Sequence, residues 1–511
     1  MPIKTTRKLP RSGVKREALR TKGQFWTPDW TADFMASYVL QDKPGRLLDP
    51  ALGEGAFFRA AKRYAAHHDF PLELFGRDID AAVIDKAENA GLDADDLRNV
   101  EIRDFLLDPP ADTFPAIIAN PPYIRHHRLS PKQKAQLRHF ANTATGRHID
   151  GRAGLHVYFL IRALRTLAHG GRLAYIVSAD ICEGVFAHVL WQWICTHYRL
   201  DAVITFAAGA TPFPDIDTNA IVFLVRNLEP AKEIHWLRCL DRKPEALVAF
   251  CSGRSTAGAT NLQVCRRALS EALTTGLSRP PADGTGSRYT LGDFARVMRG
   301  IVTGNNEFFF LTSARAKELG IPDSLLVRAV GRVRDVQGEC FDQEDLTRLE
   351  SSGRPTLLLS ANGLAFEQLP ERVQNYLRDG ESKGLPKKTL IKTRKPWYRM
   401  ETRKAPPIMF AYLGRRNARF IRNRAGVVPL TCLLCVYPKD PSPEYVDCLW
   451  NVLSHPETVG NLRKVGKSYG GDAIKVEPRA LERLPLPDGV VHSEGLNGFF
   501  STRQGVLFED I

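Results

Sequence analysis

Asn120-Pro121-Pro122-Tyr123 interrupts an apolar run, and its residue types suit one kind of chemistry. The Asn120 side-chain oxygen and the Pro121 backbone carbonyl are neighbouring hydrogen-bond acceptors. Together they can hold both hydrogens of an exocyclic amine such as that of adenine. An aromatic amine is a poor nucleophile because its lone pair is delocalised into the ring. Two acceptors favour a tetrahedral nitrogen whose lone pair points at an electrophile. Proline has no N–H and a fixed φ, so this turn presents carbonyls with its geometry set in advance. Tyr123 then offers a ring on which a base can stack. A stiff surface turn would use the same residues, and any short motif has chance matches. Three other strand ends weigh against that reading.

The segment LLDPALGEGAFF (47–58) ends a strand in Asp49, turns through Gly53 and Gly55, and enters a helix. Glycines let a ligand approach the backbone, and a helix start offers free N–H groups. A dinucleotide loop would place its third glycine at Phe58, and Asp49 and Glu54 would repel a pyrophosphate. A ligand bearing positive charge suits these acids better. The next strand ends in Asp78, 23 residues after Gly55, where an acid commonly meets a ribose. A third ends in Asp104-Phe105, a carboxylate and a ring suited to a purine edge and face.

These residues need a frame that brings strand ends together. Apolar or β-rich runs at 46–50, 72–78, 99–105, 116–120, 171–178, 201–207 and 220–227 read as strands. Runs at 57–68, 82–90 and 155–169 carry apolar residues at helical spacing. Alternation of this kind predicts an α/β, doubly wound, Rossmann-like sheet that binds ligands at its carboxyl edge. Segments 251–261 and 277–290 are rich in Gly, Ser, Pro and Thr and read as loops or a boundary. The expected organisation is a basic arm (1–22), a catalytic domain (23–228), a connecting region (229–290) and a mixed α+β domain (291–511).

In order along the chain, these motifs resemble the gamma-class N6-adenine DNA methyltransferases of restriction–modification systems, the TaqI-like group of class I S-adenosylmethionine-dependent enzymes. GQFWTP (23–28) resembles that family's first motif, and the resemblance implies that Thr27 helps hold the methionine end of the cofactor. DPALGEG (49–55) is similar to its cofactor loop, with Asp49, Ala51, Gly53 and Gly55 as contacts. Leu52 and Glu54 depart from the commoner Cys and Ser. Asp78 matches the ribose acid, Asp104 and Phe105 the adenine contacts, and Asn120–Tyr123 the catalytic motif. ATPFPDIDTNAIVFLV (210–225) resembles the segment whose Phe-Pro supplies a second ring, so Phe213 joins Tyr123 as a base-stacking candidate. MRGIVTGNNEFFFL (298–311), KTRKPWYRM (392–400) and YGGDAIKVEPRALERLPLP (469–487) resemble the family's target-recognition regions. The resemblance implies double-stranded DNA as substrate, S-adenosylmethionine as cofactor, no metal, and a separate endonuclease acting on the same site.

Charge agrees with a polyanionic partner. The 511 residues carry a net +14. Residues 1–22 hold eight Lys/Arg against Glu17 alone, and residues 383–424 hold fourteen against Glu401 alone. Trp397, Tyr398, Phe410, Tyr412 and Phe420 are interleaved in the second stretch, as nucleic-acid surfaces favour. Lys392, Arg394, Lys395, Arg415 and Arg416 are therefore candidate DNA contacts, with Arg125 beside the catalytic motif. His126 and His127 are equally readable as phosphate contacts or exposed loop. TCLLC (431–435) has CxxC spacing but lies in an apolar, strand-like run without a second pair. No membrane span, secretory signal or disulfide framework is legible, so a reduced, cytoplasmic, nucleoid-associated protein is expected. The same chemistry also admits an RNA methyltransferase or one acting on a protein glutamine.

Overall fold

In the computed structural model, residues 26–214, 219–281, 287–361, 364–412, 418–469 and 473–499 are described. The 1–22 arm lies outside them. The seven expected strands and two more form one nine-stranded sheet: β1 (Arg46–Asp49), β2 (Glu73–Asp78), β3 (Val100–Ile102), β4 (Phe114–Ala119), β5 (Leu167–Ser178), β6 (Arg199–Phe206), β7 (Ala220–Arg226), β8 (Glu233–Cys239) and β9 (Leu262–Ala268). Their order is β3-β2-β1-β4-β5-β7-β6-β8-β9. β3, β2, β1, β4 and β5 pair in parallel, whereas β7 runs antiparallel between β5 and β6.

Burial on both faces explains the near-continuous apolar strands. Along β4, Ile117 and Ala119 enter one core while Ala116 and Ile118 enter the other. Along β5, Tyr175 and Val177 face the first core and Ala174 and Ile176 the second. This is the period-two alternation of a strand covered on both sides. Helices α1 (Asp29–Val39) and α2 (Ala56–His67) pack on one face. Helices α3 (Pro131–Thr145), α4 (Leu155–Thr166) and α5 (Ala187–His197) pack on the other. The helix expected over 155–169 stops at Thr166, because Leu167 turns extended and starts β5.

The connecting region expected at 229–290 is corrected. β8 pairs in parallel with β6, and β9 antiparallel with β8, so both extend the catalytic sheet. The first of two compact units accordingly runs to Pro281, not to 228. The Gly/Ser-rich run 251–261 is the loop leading into β9 rather than a boundary.

The second unit takes up most of the chain after Pro281 and contains a five-stranded and a four-stranded sheet. Its aromatic core stacks Phe308 on Tyr376 at 4.3 Å and 2°, with the Trp397 ring 5.9 Å from Phe308. Cys435 is buried on the strand Leu434–Pro438, as its apolar run implied, and no metal-holding cluster occurs among the described residues.

One buried polar network ties α1 to the sheet. The Tyr38 hydroxyl donates to Asp201 Oδ2 at 2.6 Å, and Arg226 grips the same carboxylate through Nε (2.6 Å) and a terminal nitrogen (2.8 Å). Replacing Asp201 by Ala orphans a buried hydroxyl and a guanidinium together. Asp201→Ala should therefore lower unfolding free energy by about 2–4 kcal/mol. Chemical denaturation checks this; an unchanged midpoint would show the network to be energetically idle.

Candidate active site

The carboxyl ends of β1, β2 and β4 open into a cavity of about 840 Å³. Thr27, Ala51, Gly53, Asp78, Asp104, Phe105, Asn120 and Pro122, all read from the sequence, line it. Glu54 lines it as well. The loop after β1 needs its glycines: Gly53 and Gly55 have φ of 55° and 72°. A Cβ on Gly55 would also come within 2.4 Å of Leu92 Cδ1.

Asp78 braces that loop as well as facing the cavity. Its Oδ2 accepts from the Gly53 N–H at 3.1 Å and its Oδ1 from the Asp80 N–H at 3.0 Å. Asp104 is similarly committed, since its Oδ1 accepts from the N–H groups of Leu106 (2.8 Å) and Leu107 (3.2 Å). Phe105 is buried against Phe159, centroids 5.4 Å apart.

At the end of β4, Asn120 Nδ2 donates to Thr27 Oγ1 at 3.0 Å. Pro121 is buried beneath the turn and Pro122 borders the cavity. The sequence marked Thr27 and Asn120 separately but gave no sign that they touch.

Two family models match the chain: "N-6 DNA Methylase" over residues 14–236, and "Type II methyltransferase M.Eco57I, C-terminal domain" over 283–502. The chain is 25% identical to Type II methyltransferase M.AccI of Acinetobacter calcoaceticus over 95% of its own length and 90% of that protein. It is 26% identical, with the same coverage, to M.XamI of Xanthomonas campestris pv. amaranthicola. Over its whole length the chain is thus similar to the DNA methyltransferases of restriction–modification systems. Its fold is shared with the Type IIL restriction–modification enzyme MmeI, solved in complex with DNA, at 12% identity and a TM-score of 0.56. The alignment covers 92% of this chain but only 64% of that longer one.

S-adenosylmethionine is the methyltransferase's cofactor, and one buried atom tests whether the residues fit it. Asp49 is fully buried beneath the loop; its Oδ1 accepts from the Ala51 N–H at 3.1 Å, while Oδ2 has no partner among the described residues. Burial drives its carboxyl up to about 8, against the pull of the Ala51 N–H and with a smaller push from Asp78. A dry acid with an unused oxygen suits a ligand carrying ammonium and sulfonium charge and would repel a pyrophosphate. Asp49, Asp78 and the glycine loop would hold such a cofactor.

Several lining residues escaped sequence reading. Ile79 and Leu107 are 74% and 53% exposed at the cavity rim, unusual for aliphatic side chains and suited to a purine's faces. Gln133 and Gln136 arrive from α3, which no motif announced. Ile79 had a signal, an apolar residue directly after the strand-end acid; the glutamines had none.

The base-stacking pair divides. The half-buried Tyr123 ring lies nearly parallel to His156, 27° and 6.1 Å away, and its hydroxyl donates to the Ile176 carbonyl at 3.4 Å. Burial pushes the Tyr123 hydroxyl far above its usual range and His156 down to about 4, so His156 stays neutral. Phe213 is 7% exposed within the α1-side core, and neither ring lines the cavity. Its apolar ring is buried in that core, which the Phe-Pro pattern alone did not disclose.

The DNA-contact candidates divide too. Arg125, Lys392 and Lys395 are exposed. Arg394 is corrected to a structural role: it donates to the Val302 carbonyl at 2.6 Å and lies 5.9 Å from the Phe309 ring. Burial accordingly lowers its pKa. Arg415 and Arg416 lie outside the described residues.

Asp49 makes cofactor binding pH-dependent. Its folded pKa is raised, so its protonated form stabilises the empty protein and that contribution is lost as pH rises from about 4 to about 8. A cationic ligand favours the ionised form and should expel close to one proton at pH 7. Calorimetric titration of S-adenosylmethionine in buffers of different ionisation enthalpy should show that release, and Asp49→Asn should abolish it. A buffer-independent heat in the unaltered protein would contradict the assignment.

Proposed function

We propose that this chain is a gamma-class enzyme that methylates N6 of an adenine rotated out of a duplex, as the modification half of a restriction–modification pair. The observation that carries the reading is Asn120, set at the cavity edge with its amide hydrogen-bonded to Thr27. S-adenosylmethionine supplies, when bound, an electrophilic methyl group on sulfur. Every other requirement falls to the chain.

Asn120 Oδ1 and the Pro121 carbonyl accept the two N6 hydrogens and aim the lone pair. Both bonds strengthen as the nitrogen becomes positive, so they favour the transition state over the ground state. The nitrogen gains the methyl group and afterwards loses one proton to solvent. No metal takes part. Tyr123, backed by His156, supplies the ring that replaces the stacking lost when the base leaves the duplex, a cost of a few kcal/mol. Asp78 serves the ribose of the cofactor, and Phe105 with Ile79 and Leu107 encloses its adenine. Thr27 acts through Asn120 as a positioning residue.

The second unit serves as the target-recognition domain. Its exposed Lys392 and Lys395, with the Arg125 side chain of the first unit and the 1–22 arm, meet phosphates of double-stranded DNA. A separate endonuclease cutting the same unmethylated site would be its partner.

Asn120→Ala should reduce kcat by at least about 10²-fold, the scale of losing one transition-state hydrogen-bond partner. Thr27→Val should reduce kcat by roughly fivefold to tenfold, one hydrogen bond's worth, with Thr27→Ser restoring it. Cofactor dissociation constants should barely move in all three. Single-turnover transfer to duplex DNA, with N6-methyladenine identified after nuclease digestion, checks the assignment. A Thr27→Val variant that loses cofactor affinity instead of rate would return Thr27 to a cofactor contact.

A further inference from the structure

The segment between the catalytic turn and α4 has a charge bias unlike its surroundings. Residues 26–124 hold nine Lys/Arg against eighteen Asp/Glu, an acidic stretch. Residues 125–152 then hold seven Lys/Arg and four His against one acid, Asp150. That acid is already spent: Arg152 grips it at 2.7 Å and, with the Arg152 N–H, holds its carboxyl well below the usual range.

Several of these cations are exposed, and some lie close together. Helix α3 starts at a Ser130–Gln133 capping box with Pro131 in its first turn and stops at Gly146, φ 64°. Its buried side carries Leu137, Ala141 and Thr145, and Gln133, Gln136 and Leu137 reach the cofactor cavity. Lys132, Arg138 and Arg147 are exposed. The neighbours are contiguous in space. A Cβ on Gly151 would sit 3.1 Å from Arg138 Cδ, which brings the Arg152 turn against α3. His126 has its pKa lowered first by burial, then by the positive charge of His127, Lys134 and Arg152. Those cations outnumber the one opposing acid, Asp150, beside His126.

We propose that this face of α3 and its flanking turns is the catalytic unit's own phosphate-binding surface, gripping the duplex backbone beside the rotated adenine. The inference rests on the proposal that the substrate is duplex DNA. Its location is decisive: the basic run begins at Arg125, two residues after Tyr123, where the strand bearing the target base must arrive. Rotating a nucleotide out of the stack leaves its flanking phosphates as the fixed points of the strand, and point charges there hold register without reading sequence. The second unit's basic stretch supplies other phosphate contacts.

The test is fluorescence-anisotropy titration of a labelled duplex across a salt series, in the presence of S-adenosylhomocysteine, with the full chain. Each neutralised phosphate contact contributes roughly 0.9 to the slope of log K against log salt. The triple variant Lys132→Gln/Arg138→Gln/Arg147→Gln should lower that slope by about 2 to 3 relative to the unaltered protein. The charge-keeping variant Lys132→Arg/Arg138→Lys/Arg147→Lys should retain it. Cofactor affinity and thermal midpoint should be equal in all three, so a folding defect is visible as such. A steep slope shared by the unaltered protein and the Gln variant would overturn the proposal. An unaltered protein without salt-dependent duplex binding would overturn it together with the DNA reading.

Discussion

Everything at the site depends on β4 being covered on both faces from Ala116 to Ala119. Ala116 to Ala119 are fully buried, alternating between two cores, so the strand has no freedom to shift register or rotate. The first side chain past that strand is Asn120, and its position is inherited from the sheet rather than from the turn. Two prolines then remove the backbone freedom that a polar turn would otherwise keep. Catalysis by positioning needs this arrangement, because a hydrogen-bond acceptor misplaced by an ångström no longer aims a lone pair.

The same sheet divides the protein's electrostatics. Its carboxyl edge gathers carboxylates around a cavity, Asp78 and Asp104 lining it and Asp49 buried beneath the loop. Past Tyr123 the sign of the charge reverses. One motif thus stands at the border between an acidic stretch and a basic one. Thr27 borders the cavity and holds the Asn120 amide.

Much of this was legible in the residue order. The central strands announce themselves because burial on both faces demands apolar runs, and their ends stand out because a polar residue there must serve something. Asp49, Asp78, Asp104 and Asn120 were readable for that reason. The last two strands were not: β8 and β9 carry Glu233, His235, Arg238 and Arg266, a mixed pattern that imitates a connecting region. Pair contacts were equally silent. Nothing in KTRKPWYRM distinguishes Arg394, folded back onto Val302, from Lys392 and Lys395, which face solvent. Phe213 reads as an available ring until its burial is known. Charge on α3 went unread because a helix of mixed composition shows its basic face only once its buried side is fixed.

The central claim is that the Asn120 turn transfers a methyl group to adenine N6 in a defined duplex sequence. Modification-sensitive long-read sequencing of DNA from cells expressing the chain, beside cells expressing Asn120→Ala, addresses it most directly. N6-methyladenine is expected at one short motif in the first sample and nowhere in the second. An unmodified genome in both, with the protein folded and binding cofactor, would contradict the claim.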